Sequence, residues 1–528
     1  MPIRLLYTGE TPEFQVLPPV FFGDLKLDDL VKAITSKYSE YDIRKIFYTL
    51  PRKAETAEYR KQIYHEFSEK PQLVLAAKRY MTTLSATEKK YRYYLQSEEA
   101  VQKGSYLLLV CHDFLKALTD FYQALEQEQP LESQGLLSLY ESLGAYLSQS
   151  DTQSFQEKIQ KSFSAMKEMN LTLQIKRGEI VILEQMEEES PHTSVLGDLL
   201  TCLQAFDHET YPPAEKDMDL NVYHLFPAPL ETNSLENSIV EVLKKNKPEI
   251  FKIFQEFSTE TFALTDSPWF QLKNDLAFYV SFYEFEQGLN QVGITLCESE
   301  IKENAPFRTD AVFDLALAWK NRFFDYEIVK NDIHMLEDKN FFVITGPNQG
   351  GKTTLARGLG QAVYFMMMGL KSPCKSLCGP FYSNLLTHFE VEESLESGAG
   401  KLKEELNRLK PMMASKFENQ FVIINELFTT ATTYDATVMA GEVLRHFYEN
   451  HCYGVYVTHI REIAEEREFP FIQSMVAQVD AAGNRTYKIL HQKPEGLGYS
   501  DALTNKYHLT ANQVRERLQH MEERGEKL

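Results

Sequence analysis

The feature that most restricts how this chain can fold is Gly346-Pro347-Asn348-Gln349-Gly350-Gly351-Lys352-Thr353, which fits the pattern G-x-x-x-x-G-K-[ST]. The apolar run Phe341-Phe342-Val343-Ile344-Thr345 precedes it and reads as a strand, while the residues from Lys352 onward read as a helix. A strand, a glycine-rich loop and a helix in this order make a βα unit whose loop presents backbone N–H groups to an anion. The helix N-terminus adds positive potential there. In such a loop Lys352 reaches the β and γ oxygens of a bound triphosphate and the Thr353 hydroxyl ligates Mg²⁺, with Thr354 completing the junction. Two further apolar runs, Phe421-Val422-Ile423-Ile424 and Tyr453 to Thr458, alternate with helical segments, so a mostly parallel α/β sheet is expected from Phe341 onward.

Both later strands end in polar residues. The first runs into Asn425-Glu426, where a carboxylate at the strand's C-terminal edge can orient a nucleophilic water; Glu426 is the candidate general base, with a structural ion pair as the alternative. The second ends at Thr458-His459, placing an imidazole beside Glu426 in reach of a γ-phosphate, with a purely structural histidine as the alternative.

Upstream the pattern differs. The first 170 residues read as successive helices, with apolar positions spaced by three and four. Alternation over Leu171 to Ile175, a turn at Lys176 to Glu179 and then Ile180 to Leu183 predict a β-hairpin among them. Glu187 to Asp219, with Pro212-Pro213, reads as a surface segment or hinge, and Ser267-Pro268 caps a long helix running to about Gly288 with two apolar stripes. A net charge of −21 opposes indiscriminate attraction to nucleic-acid phosphates. One local exception is the basic, tyrosine-rich stretch Lys78 to Leu95, readable as a channel wall or as a solvated helix face. Six scattered cysteines indicate neither a disulfide framework nor a structural metal, and the sequence has neither a secretory signal nor a membrane-length apolar run, so a cytoplasmic protein is expected.

Taken together, these motifs resemble the ATPase domain of the MutS family, an ABC-type group. GPNQGGKTT resembles that family's phosphate loop, NELFTTATTYDA its strand and following loop, and VYVTHIREIAE its switch segment; Ile328 to Ile333 resembles the stretch that helps seat the nucleotide. The resemblance implies an α/β ABC-type P-loop ATPase domain over 310–500, preceded by a mainly α-helical core and lever region (1–165), a β-hairpin-containing insertion (166–230) and lever helices returning to the core (231–309). A helical tail (501–528) is a candidate dimer contact. It further implies ATP and Mg²⁺ bound by Asn348, Lys352 and Thr353 with Asn331 nearby, hydrolysis supported by Glu426, and γ-phosphate sensing by His459. A homodimer follows from the same resemblance. In it Ser397, Gly398, Gly400 and Lys401 of one chain cap the partner's ATP, and Asp435 lies in the dimer-crossing loop.

The departures from the family pattern are specific. Asn425 stands where the family has an Asp that holds the metal's water shell, Gly400 stands at the signature Ser, and Phe428-Thr429-Thr430 replaces Gly-Arg-Gly. From the early first helix and the short stretch after the ATPase region, a core-plus-ATPase member is expected, without mismatch-reading and connector domains and without a nuclease of the Smr type. The expected function is a homodimeric ATPase whose nucleotide cycle closes helical arms on a DNA structure of unspecified type. The alternative is a nucleotide-switched scaffold that clamps a protein or ribonucleoprotein partner with slow or no hydrolysis. A metabolic kinase fits less well, because Asp435 and His459 follow the ABC order.

Overall fold

A computed structural model describes residues 4–9, 12–167, 171–176, 179–184, 244–245, 248–324, 327–389, 401–480, 484–494 and 513–516. The chain groups into two compact units. Met1–Leu5 and Glu66–Val280 form one; Leu6–His65 and Ser281–Leu528 form the other.

The described part of the first unit is helical apart from one β-hairpin. Its main helices are α5 (Pro71–Gln96), α6 (Ala100–Gln127), α7 (Gln134–Leu147), α8 (Ser150–Lys167) and α9 (Pro248–Ser258). They form where apolar residues recur at helical spacing: Leu73, Val74, Ala77, Tyr80, Met81 and Leu84 make the buried stripe of α5. Ser133 caps α7 and is itself held by Glu66, whose carboxylate accepts from the Ser133 N–H at 2.8 Å, the Glu132 N–H at 2.9 Å and Lys70 Nζ at 2.9 Å. Burial alone would raise the Glu66 pKa, but these donors outweigh it and hold the pKa below its ordinary value. The expected hairpin is present as β1 (Leu171–Lys176) and β2 (Glu179–Glu184), paired antiparallel from Leu171↔Glu184 to Lys176↔Glu179; its two turn residues and the 187–219 segment lie outside the described residues.

Of the two readings of the basic stretch, the structure favours the solvated face. Lys90 pairs with Asp113 at 2.6 Å and Arg92 with Glu88 at 2.9 Å, so two of its five cations are paired within the unit, and Tyr80, Tyr91 and Tyr94 turn into the core. The long helix α10 (Pro268–Gln291) buries both stripes: Tyr279 packs on Phe67, and farther along Phe282 packs on Tyr64 and Phe365. Among the described residues, no helix is long and apolar enough to cross a membrane.

In the second unit, a six-stranded sheet is built from β6 (Phe341–Thr345), β8 (Asn384–His388), β9 (Gln420–Asn425), β10 (Tyr453–Val457), β11 (Ile472–Val479) and β12 (Arg485–His491), in the order β12-β11-β6-β10-β9-β8. All neighbours are parallel except the edge pair β11–β12. The strands β6 and β9 are buried at every position, as expected for a parallel sheet covered on both faces. A second sheet, ordered β3-β7-β4-β5, contains β3 (Ser299–Ile301), β4 (Arg308–Val312), β5 (Asn331–His334) and β7 (Ser376–Gly379).

The helix after β6, α12 (Lys352–Met368), is buried along nearly its whole length. It packs between the sheet and the N-terminal helix α1 (Val20–Asp24), whose Phe21 and Phe22 rings meet Tyr364. Gly360 makes this approach feasible, since a Cβ there would lie 2.5 Å from Ile423 and 2.6 Å from Leu25. Polar contacts fix the seat: Gln361 Nε2 donates to the Leu25 carbonyl at 2.8 Å, Tyr364 OH to the Phe47 carbonyl at 2.8 Å, and Thr387 Oγ1 to Asp24 at 2.7 Å.

Candidate functional site

The register Val457↔Ile344 and Val457↔Asn425 aligns the C-terminal ends of β6, β10 and β9, so three loops leave the sheet at one edge. In open α/β sheets this edge is where ligands bind. The first loop is Gly346–Gly351. Gly346 has φ 126° and Gly351 φ 89°, and a Cβ at Gly346 would approach within 2.9 Å of Ala477, so a side chain there is excluded on two counts. Lys352 opens α12 and folds back over the loop, its Nζ donating to the Gly346 and Pro347 carbonyls, both at 3.0 Å. Burial lowers its pKa while Glu426 opposes the shift, so the ammonium lies within electrostatic reach of that carboxylate.

The second loop carries Asn425 and Glu426. Thr353 Oγ1 donates to Asn425 Oδ1 at 2.9 Å, bringing two oxygen donors together at the start of α12. The Glu426 N–H continues the strand pairing by donating to the Val457 carbonyl at 2.9 Å, and its backbone takes φ 58°. That left-handed turn directs its carboxylate toward the third loop, where His459 Nε2 meets Glu426 Oε1 at 2.9 Å. The imidazole is more exposed than the carboxylate, 42% against 22%, so the pair lies at the mouth of a cleft.

That cleft has a volume of about 890 Å³ and is lined by residues 348–355 of the loop and helix, by Glu426 and His459, and by Val312, Phe313, Ile328 and Tyr487. It therefore gathers Asn348, Gln349, Gly350, Gly351, Lys352, Thr353, Thr354, Asn331, Glu426 and His459. Asn331 has a specific structural role there. Its carboxamide accepts from the Ile489 N–H at 2.9 Å and donates to the Tyr487 carbonyl at 3.2 Å, tying β5 to β12. Tyr487, held at φ 57°, lies beside Gly351, and Arg485 on the same strand donates to Gln349 Oε1 at 2.9 Å.

Other sequence candidates fall elsewhere. Asp435 is exposed in the first turn of α14 (Thr433–Glu449), where its N–H donates to Thr432 Oγ1 at 3.2 Å and its carboxylate accepts from that hydroxyl at 2.7 Å. This is a reciprocal helix cap. Ser397, Gly398 and Gly400 lie outside the described residues, while Lys401 is the first residue of α13 (Lys401–Met413). Glu405 on α13 had not been singled out, yet its buried carboxylate accepts from the Phe428 N–H at 3.0 Å, two residues past Glu426. Tyr487 likewise follows no local motif; its importance arises from the pairing of distant strands.

The family model for MutS domain V matches residues 342–502. Over that stretch, about a third of its length, the chain resembles the MutS family. Its relatives over this region include the DNA mismatch repair protein MutS of Thermotoga sp. (strain RQ2), 27% identical over 171 residues, which are 32% of this chain and 22% of that protein. The DNA mismatch repair protein msh-2 of Neurospora crassa is 27% identical over 31% of this chain and 18% of its own length. The mitochondrial DNA mismatch repair protein MSH1 of Arabidopsis thaliana is 27% identical over 26% and 12%. The chain thus spans about a fifth of the length of the first two relatives over the matched region. The family match contains the 346–354 loop, Glu426 and His459, whereas Asn331 precedes it.

Proposed function

We propose that this chain is an ATPase with an ABC-type P-loop, binding MgATP in the cleft beside β6 and using the nucleotide to drive dimerisation that clamps a DNA structure. The observation that carries the reading is the convergence of the Gly346–Gly351 loop, Lys352, the Thr353–Asn425 pair and the Glu426–His459 pair at one sheet edge. Backbone N–H groups and Lys352 neutralise the phosphates, and Glu426 orients a water toward the γ-phosphate and accepts its proton. His459, already hydrogen-bonded to Glu426, holds that carboxylate and reports on the γ-phosphate.

The donor set fits Mg²⁺, a hard cation that takes oxygen ligands: the Thr353 hydroxyl would hold the ion and the Asn425 carboxamide would help orient its water shell. When bound, the ion neutralises charge developing on the β and γ oxygens. Asn425 supplies an oxygen without a negative charge, so metal retention and turnover are slower than with a carboxylate. DNA as the clamped partner rests on the mismatch-repair relatives.

Asn425 also motivates the second reading, a nucleotide-switched scaffold on a protein or ribonucleoprotein partner. Steady-state ATPase assays on the wild type, Asn425→Asp and Glu426→Gln separate the two. The ATPase reading requires wild-type turnover that Glu426→Gln abolishes and Asn425→Asp increases. Binding to duplex, branched and single-stranded DNA across a salt series, with and without ATP, tests the partner; failure to bind any of them refutes the DNA assignment.

A further inference from the structure

Away from the cleft, two cysteines 77 positions apart come together in the second unit. Cys297, which precedes β3, forms a two-residue antiparallel bridge with Ser372: the Cys297 N–H donates to the Ser372 carbonyl at 2.9 Å, and the Ser372 N–H returns a bond of 2.7 Å. The Cys374 N–H also donates to the Ser372 carbonyl at 2.9 Å, which turns the chain so that Cys374 Sγ lies 3.2 Å from Cys297 Sγ. A contact of 2.9 Å between the Ser299 and Ser372 hydroxyls fixes the same two segments one step farther on. Cys297 is half-buried and Cys374 is buried, so Cys297 is the more accessible of the two to a reagent.

A disulfide bond is about 2.05 Å long, so the sulfurs need to close by only about 1 Å. We propose that Cys297 and Cys374 form a reversible thiol–disulfide pair, oxidised by low-molecular-weight disulfides, that cross-links the segment following α10 to the segment following α12. Among the described residues, no cluster of three His, Cys, Asp or Glu groups surrounds the pair, so the arrangement is a dithiol and not a three-point metal site. Cys378, closer to Cys374 in sequence, instead interacts with Glu300.

The two thiols are chemically unequal. The hydrogen bond from Cys374 lowers the Cys297 pKa, with Lys371 adding to it against burial, whereas that same bond and burial raise the Cys374 pKa. Cys297 therefore loses its proton to solvent first, and its thiolate attacks one sulfur of the small disulfide, expelling one small thiolate. Cys374 then gives up its proton and its sulfur attacks Cys297 Sγ, expelling the second small thiolate. Two protein thiols are oxidised, one small disulfide is reduced, and the two expelled thiolates take up two protons. The covalent loop so closed contains the Gly346–Thr354 segment and all of α12, the helix that begins at Lys352.

The test uses the full chain incubated with hydroxyethyl disulfide, alkylated and mapped by mass spectrometry without reduction. The expected result is a peptide joining Cys297 to Cys374, loss of two thiols per chain, and a higher unfolding temperature that dithiothreitol reverses, because the cross-link constrains the unfolded chain. Cys297→Ser should lose both the cross-link and the temperature shift, while Cys378→Ser should keep both. A Cys374–Cys378 link, a small-molecule adduct persisting on Cys297, or thiols left unconsumed in the folded protein would each overturn the proposal. The wild-type peptide map decides the matter even if a variant folds poorly, and none of these outcomes depends on ATP binding.

Discussion

Replacing Glu405 tests whether helix α13 holds the loop that carries Glu426. Phe428 sits at φ 59°, a left-handed conformation that costs a side-chain-bearing residue roughly 1–2 kcal/mol. Two forces oppose that cost. Burial of the phenyl ring, only 2% exposed, contributes roughly 2–3 kcal/mol, and the hydrogen bond from its N–H to the Glu405 carboxylate adds about 1.5–3 kcal/mol. Glu405→Ala removes the second and leaves a buried N–H without its acceptor, so the strain and the ring's burial come nearly into balance.

The expected destabilisation is about 2 kcal/mol, read as a fall of roughly 4–8 °C in the thermal transition. Turnover should fall as well, since Glu426 is two residues away. Glu405→Gln keeps an acceptor oxygen and should lose less than about 1 kcal/mol. Differential scanning calorimetry and ATPase assays on both variants decide the case. Equal damage from Ala and Gln would show that the charge matters and the bond does not; a neutral Ala variant would refute the argument altogether.

Gly346→Ala places a methyl group 2.9 Å from Ala477 at φ 126°, so isothermal titration should show loss of ATP affinity, while circular dichroism shows the helices retained. His388 is buried at the end of β8, and burial, with Arg408 adding to it, lowers its pKa from 6.5 to about 4. The unfolded chain takes up this proton below pH 6.5 and the folded chain only below about 4, so the contribution is full above 6.5 and declines as pH falls across that window. Urea unfolding should show a loss of about 2 kcal/mol between pH 7 and 5 that His388→Gln abolishes, and an unchanged slope in that variant would exclude His388 as its source.

The parts of the site that were legible in the sequence are those in which local pattern and chemistry coincide. The run Phe341–Thr345 followed by glycines and Lys352 has few ways to fold, and Asn425-Glu426 and Thr458-His459 end strands in polar residues because those ends face the cleft. The helical repeat of the first unit and the β1–β2 hairpin were readable for the same reason, since hydrophobic period is a local signal. What escaped notice depends on register between distant segments. Nothing around Tyr487 marks it as a neighbour of Gly351, because Asn331, 156 positions earlier, places it. Cys378 is the nearest cysteine to Cys374 along the chain, yet the bridge at Ser372 brings Cys297 to it. The cations of Lys78 to Leu95 gave no hint of Asp113, the partner of Lys90, which arrives from the next helix.

The packing of α1 against α12 bears on how the protein is made. Leu25 and its partner Gln361 are separated by 336 positions. At synthesis rates of about 5–20 residues per second, the N-terminal segment therefore waits roughly 20–70 s for its partner to be translated. During that interval Phe21, Phe22 and Leu25, all buried in the finished protein, lack the α12 surface that covers them. The nascent chain thus carries this apolar segment uncovered until the residues around Gln361 have emerged.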